Sequence, residues 1–297
     1  MTTLPKILVT GANGQLGMEL RDLSSYFPQF DFIFASRKEL AIDDFTSMSD
    51  FFKTHQPAYC INCAAYTQVD AAETQKDEAF LINAEAVSVL AGLCRPFETK
   101  LIHISTDYVF NGNASTAYSE GSPTDPVNTY GASKLAGEKK AVEMNPGTVI
   151  IRTSWVYSSY GKNFVKTMLR LMSEKEEINI VSDQVGSPTY AKDLAETIMK
   201  IISECREAGS EPPGGIYHFS NNGIISWYDF AIAIKELTGS HCKINPVTTS
   251  QYPTPAKRPA YSGLNKAKIQ QVFGIELKNW KESLAVCISK IKAAHLS

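Results

Sequence analysis

The feature that most constrains this chain lies near its start. The apolar run KILVT (residues 6–10) leads into GANGQLG, with Gly11, Gly14 and Gly17, and then into MELRDLSSYF, a stretch of helical character. A strand, a glycine turn and a helix in that order are the context in which a glycine-rich motif binds a nucleotide. Glycine lets the backbone turn sharply and approach a pyrophosphate, whose charge meets the free amides and positive dipole of the helix N-terminus. The expected cradle is Gly11, Asn13, Gly14, Gln15, Leu16 and Gly17.

Further strand and helix alternation follows. DFIFAS (31–36), AYCINC (58–63), KLIHIS (100–105) and TVIIRT (148–153) are short apolar runs separated by stretches with helical spacing. Runs without strict polar alternation suit parallel strands buried on both faces, so the fold class is α/β with a doubly wound, Rossmann-like parallel sheet. Asp43 or Asp44 is the expected cap of the helix after the second strand, and Asn128 or Thr129 of the helix carrying YGASKLAGEKKAVEM. Beyond about residue 155, proline and glycine interrupt fewer regular elements, as in SDQVGSPTY, PPGG and TTSQYPTPAKRP. We expect a dinucleotide-binding domain of 1–155 plus about 190–222, and a smaller, discontinuous substrate lobe of about 156–189 plus 223–297. The helical stretch 190–205 and the strand IYHFS (216–220) would return to the main sheet.

The 297 residues carry 29 Lys and Arg against 31 Asp and Glu. No basic field exists to hold a polyanion, so small-molecule partners are expected and nucleic acid is not. The first residues lack the basic-then-apolar run of a secretory signal, and no apolar stretch approaches the roughly 20 residues that span a bilayer, so the expected setting is cytoplasmic, without membrane contact. Cys60 and Cys63 sit inside the apolar AYCINCAA and read as structural. His55, His103, His218, His241 and His295 lack ligand-like spacing, and most of them read as surface or packing residues.

Cofactor choice is read after the second strand. About 20 residues past the glycine turn, where a carboxylate would hold the ribose of NAD, stand Ser36, Arg37 and Lys38, with Glu39 next. A guanidinium pairs well with a 2′-phosphate, so NADPH is the expected cofactor, with NADH as the alternative.

The chemistry is read from YGASK, which sets Tyr130 and Lys134 four apart on one helix face. A neighbouring ammonium is expected to lower the phenol's pKa from its unperturbed value near 10. The preceding strand ends in STDYVFNG, with Ser105 and Thr106 at its carboxyl end, where open parallel sheets bind ligands. Tyr108 has no lysine at the helical offset and reads as a loop packing residue.

The 3+3 glycine spacing resembles the extended branch of the short-chain dehydrogenase/reductase superfamily. That resemblance makes Thr106, Tyr130 and Lys134 a catalytic triad and sets Ala64, Ala65 and Tyr66 beside the cofactor. STDYVFNG, PVNTYGASKLAGE, RTSWVYSSYGKNFVKTML, SDQVGSPTYAKDLA and AKRPAYSGLNKAK resemble, in order and spacing, the dTDP-4-dehydrorhamnose reductases. This implies hydride transfer from NADPH to C4 of a dTDP-4-keto-6-deoxy-L-hexose and proton donation by Tyr130. It also sets Thr106, Asp107 and Trp155 near the sugar, with Asn163 and Arg258 in the substrate lobe. An epimerase or dehydratase on a nucleotide sugar, or a non-catalytic dinucleotide-binding regulatory subunit, would share most of these residues. Two positions depart from the family pattern. Ala41 stands where relatives often carry an adenosine-contacting aspartate, and Lys192 where some carry a carboxylate that, with the position of Glu19, holds magnesium between subunits. No metal is therefore expected, and a homodimer is left open.

Overall fold

A computed structural model describes residues 4–294, so His295 lies outside the described residues. Six strands form one all-parallel sheet: β1 (Lys6–Thr10), β2 (Asp31–Ala35), β3 (Tyr59–Asn62), β4 (Lys100–Thr106), β5 (Val149–Thr153) and β6 (Gly215–His218). Their order is β6-β5-β4-β3-β1-β2. The sheet is buried on both faces because successive side chains alternate across it. Ile7, Val9, Ile61, Ile102 and Ile151 enter one core, while Leu8, Cys60, Leu101 and Ile150 enter the other.

The main helices, in chain order, are α1 (Gln15–Leu23), α2 (Phe45–His55), α3 (Ala86–Cys94), α4 (Thr129–Met144), α5 (Phe164–Glu174), α6 (Ala191–Glu207), α7 (Trp227–Thr238) and α8 (Trp280–Ala294). Of the alternatives left open by the sequence, Asp44 caps α2 by accepting from Ser47 N, and Asn128 caps α4 by accepting from Gly131 N at 2.8 Å. Residues of α1 and α6 cover the first face of the sheet, and residues of α2, α3 and α4 the second. A separate core joins α5, α7 and α8 to a parallel two-stranded ribbon, Glu177–Val181 with Lys243–Val247. Chain segments after residue 155 thus build their own core, yet α6 and β6 return to the main sheet. Among the described residues, no helix is long and apolar enough to cross a membrane.

Candidate active site

The strand order reverses beside β1, and there the carboxyl ends of β1, β3 and β4 open into a cleft of about 1390 Å³. Pockets for one small ligand run to roughly 300–1,000 Å³, so this cleft has room for a dinucleotide and a second nucleotide together. Gly11 turns the chain at φ +62°, and a Cβ there would stand 2.7 Å from Ala64 N. Gly14 caps α1 without a side chain, which leaves the first-turn amides of that helix open to an anion. Asn13, Gln15 and Leu16 line the cleft with them, as do Ala64 and Ala65. A dinucleotide's pyrophosphate fits this cradle.

Two expected cofactor contacts do not reach it. Gly17 packs under the turn, where a Cβ would meet Ala12 Cα at 2.6 Å, so its smallness serves helix packing. Tyr66 is buried in the core, with its hydroxyl on Gln75. Thr67 takes a place in the cleft wall instead.

At the far end of the cleft stand Ser36 and Arg37. Ser36 is bound by Glu39 through both its amide and its hydroxyl. Arg37 is 70% exposed and paired to Asp43 at 3.0 Å. A 2′-phosphate would therefore compete with Asp43 for the guanidinium. Arg37→Ala should weaken NADPH binding by about 3- to 10-fold at low salt and leave NADH nearly unchanged, while Asp43→Asn should tighten NADPH. Dissociation constants for both cofactors at two ionic strengths check this. Equal changes for the two would remove Arg37 as the phosphate reader.

The chemical end is built from β4 and α4. Lys134 is buried and donates to Ile104 O at 2.7 Å, with His103 Nε2 3.4 Å away. Burial pushes its amine down to about 8, and the Glu138 carboxylate one turn along α4 pulls it back up. Tyr130 departs from expectation. Its hydroxyl is pushed up to about 12 by burial, with the nearby Thr106 hydroxyl offsetting part of the rise and Asp107 adding to it. Desolvation outweighs any help to the phenolate from Lys134, so the phenol stays protonated at neutral pH. Tyr108 packs after the strand as expected, its ring meeting Tyr130 edge-on at 5.7 Å, and it also lines the cleft.

Thr106 donates to Asp107 Oδ1 at 3.0 Å and accepts from Tyr108 N. Asp107 is 2% exposed; its Oδ2 makes no hydrogen bond of good geometry, although the Ser262 hydroxyl lies near enough to hold the carboxyl down. Burial raises this carboxyl to about 6, which leaves it mostly ionised at neutral pH. Trp155 holds a left-handed backbone at φ +47° and stacks on Trp227 at 3.6 Å, both in the cleft wall.

The two remaining residues expected in the sugar lobe already have partners within the fold. Asn163 caps α5 and directs its amide to Gln15, Ser158 O and Tyr160 O, so the side chain is already committed within the fold. Arg258 forms a two-point ion pair with Asp70 at 2.7 and 3.0 Å, and neither of the two lines the cleft. The loop 158–163 is strapped to α1, because Ser158 and Tyr160 bond Glu19 and Asp22 while Gly161 packs against Gln15. Glu19 is fully buried and faces the Lys290 ammonium at 3.1 Å. Among the described residues no group of three or more His, Cys, Asp or Glu side chains is arranged to hold a metal.

Residues 5–293 match the family described as the RmlD substrate binding domain. The dTDP-4-dehydrorhamnose reductase of Sinorhizobium fredii is 39% identical over 282 residues, 94% of this chain and 95% of the relative. The chain belongs to the dTDP-4-dehydrorhamnose reductase family. The spore coat polysaccharide biosynthesis protein SpsK of Bacillus subtilis is 44% identical over 95% of this chain and 96% of its own length. A crystal structure of the dTDP-4-dehydrorhamnose reductase of Bacillus anthracis in complex with NADP superposes with a TM-score of 0.91 at 38% identity, covering 97% of this chain and 100% of that one.

In this dTDP-4-dehydrorhamnose reductase family member, sequence reasoning missed Trp227, Lys162 and His103. Trp227 and Lys162 line the cleft. The capping box that starts α7 at Ser226 was legible as S-W-Y-D, but nothing local links Trp227 to Trp155. His103 is no mere packing residue, since it stands beside Lys134.

Proposed function

We propose that this chain catalyses the NADPH-dependent reduction of the C4 keto group of dTDP-4-dehydrorhamnose to dTDP-L-rhamnose. The observation that carries the reading is that Tyr130, half-buried, lines one cleft with Thr106, Lys134 and the glycine turn. Bound NADPH supplies the hydride. Tyr130 delivers the proton to the sugar oxygen, and because a developing alkoxide is the stronger base, that transfer runs downhill. Thr106 would turn its hydroxyl from Asp107 to the same oxygen, adding a preplaced donor where charge develops. The Oδ2 of Asp107 accepts from a sugar hydroxyl, and the Trp155–Trp227 stack offers an apolar wall. Lys134 turns donors toward the nicotinamide ribose. Gly11 to Leu16, with Ala64 and Ala65, hold the dinucleotide, and Arg37 reads its 2′-phosphate.

The reading divides the chain into a dinucleotide domain of 1–155 plus about 190–222 and a substrate lobe from the remainder. It takes nucleotide sugar rather than nucleic acid as partner, sets the reaction in the cytoplasm with its highly charged reactants, and leaves room for a homodimer. The test is NADPH oxidation by purified protein with dTDP-4-dehydrorhamnose and a panel of other nucleotide-linked 4-keto sugars. Sugar conversion without net NADPH consumption would indicate an epimerase or dehydratase. Tight dinucleotide binding without turnover would indicate a regulatory subunit.

The sign of the pH dependence follows from Lys134. Its working form is the ammonium, and with the amine lowered to about 8 that form is lost as pH rises through this value. kcat/KM should therefore fall above about pH 8, while Tyr130, at about 12, keeps its proton and adds no alkaline limb of its own within the working range. A profile that stays level well above that point would show that the ammonium is not required.

A further inference from the structure

Below the cleft, three polar side chains cross the buried sheet in a row. Thr10, Asn62 and His103 are register partners on β1, β3 and β4, and none is more than 1% exposed. Each lies two residues beyond Leu8, Cys60 or Leu101, on the sheet face that α4 helps to cover. Thr10 Oγ1 donates to Asn62 Oδ1 at 2.6 Å, Asn62 Nδ2 lies 3.0 Å from His103 Nδ1, and His103 Nε2 lies 3.4 Å from Lys134 Nζ. Buried polar groups need partners, but such a row ending on the site's lysine also has a direction.

The backbone sets that direction. Ala64 N–H approaches Asn62 Oδ1 at 3.3 Å and Thr10 Oγ1 at 3.4 Å. A donor beside Oδ1 identifies that atom as the amide oxygen, so the NH2 group faces His103 and donates to Nδ1. The ring proton then sits on Nε2. Burial and the neighbouring Lys134 hold the imidazole well below its ordinary pKa, so the ring is neutral.

We propose that Thr10, Asn62 and His103 form a polarised hydrogen-bond ladder that makes His103 a positioning residue for Lys134, by presenting an N–H rather than a lone pair to its amine. With no acceptor on that side, Ile104 O is the inner acceptor of Lys134, and the remaining N–H bonds turn toward the cleft. A facing donor also favours the neutral amine over the ammonium, so the ladder makes the proton of Lys134 easier to release. The other groups acting here are accounted for. Glu138, one turn along α4, opposes this effect but is held by Arg152 of β5 and Ser105 of β4. Tyr130 lies one turn back on α4, and Asp107, just beyond β4, acts on Tyr130.

The use of Lys134 in turnover rests on the reductase reading, whereas the ring tautomer does not. Long-range proton–nitrogen NMR of the full chain, assigned by loss of the signal in His103→Gln, should show His103 as a neutral Nε2–H tautomer from about pH 6 to 8. An Nδ1–H tautomer, or a ring that titrates in this range, overturns the ladder whatever the chain catalyses. In His103→Gln the side-chain oxygen can turn to Lys134 and accept, so the alkaline limb of kcat/KM should move up by about one pH unit. A limb that stays in place overturns the positioning role. If His103→Gln does not fold, or the chain shows no turnover, the wild-type tautomer, assigned against the other three described histidines, still decides.

Discussion

Tyr130→Phe should lower kcat for NADPH oxidation by about 100-fold or more, with the NADPH dissociation constant within about twofold of wild type. The substitution keeps the ring, and with it the edge-on contact to Tyr108 at 5.7 Å. It removes the only group of the proposed mechanism that donates a proton to the sugar oxygen. Because burial holds the phenol at about 12, its hydroxyl carries a proton across the working pH range, and no pH adjustment should rescue the variant. Cofactor binding separates this role from a structural one. Near-normal turnover would remove Tyr130 as the donor, and a parallel loss of NADPH affinity would mean that its hydroxyl serves binding instead.

The largest effect on stability should come from a pair that touches no ligand. Arg152 and Glu138 are each 2% exposed and form a two-point salt bridge at 2.7 and 2.9 Å, with Ser105 as a further donor to the carboxylate. Removing one partner leaves a charge buried without compensation, which costs about 3–5 kcal/mol. Arg152→Met should therefore lower the free energy of unfolding in urea by that amount. The double variant Arg152→Met/Glu138→Leu should recover most of it, because replacing both charges with apolar groups removes the desolvation penalty along with the attraction. A loss below about 1 kcal/mol for the single variant would show that water or another group reaches Glu138.

The fold was legible because its signals are local. Apolar runs located the five expected strands of the first half to within a residue or so at either end, and β6 two residues late at its carboxyl end. A glycine turn between a strand and a helix needs no tertiary information to be read. The site was legible where side chains share one element, as Tyr130 and Lys134 do on α4. It was not legible where the outcome depends on competition between distant residues. The ion pair of Arg258 could not be read because its partner Asp70 lies far away in the chain, nor the bonds of Asn163 because its three acceptors are set by folding. The phenol's pKa went the other way from expectation because burial cannot be seen in a four-residue spacing. The polar ladder was hidden for a related reason. Thr10, Asn62 and His103 each resemble an isolated polar residue in an apolar strand until parallel register lines them up.

The strap between loop 158–163 and α1 bears on how such sites can be transplanted. The glycine turn looks like a self-contained cassette, ready to be exchanged when a different cofactor is wanted. Yet Gln15 is held by Asn163 from the loop, while Glu19 and Asp22 answer to Ser158, Tyr160 and Lys290. A chimera that takes the turn and α1 from another parent inherits half of a buried polar joint. The unit of exchange is larger than the motif: the helix, the loop that crosses it and the lysine from α8 must travel together.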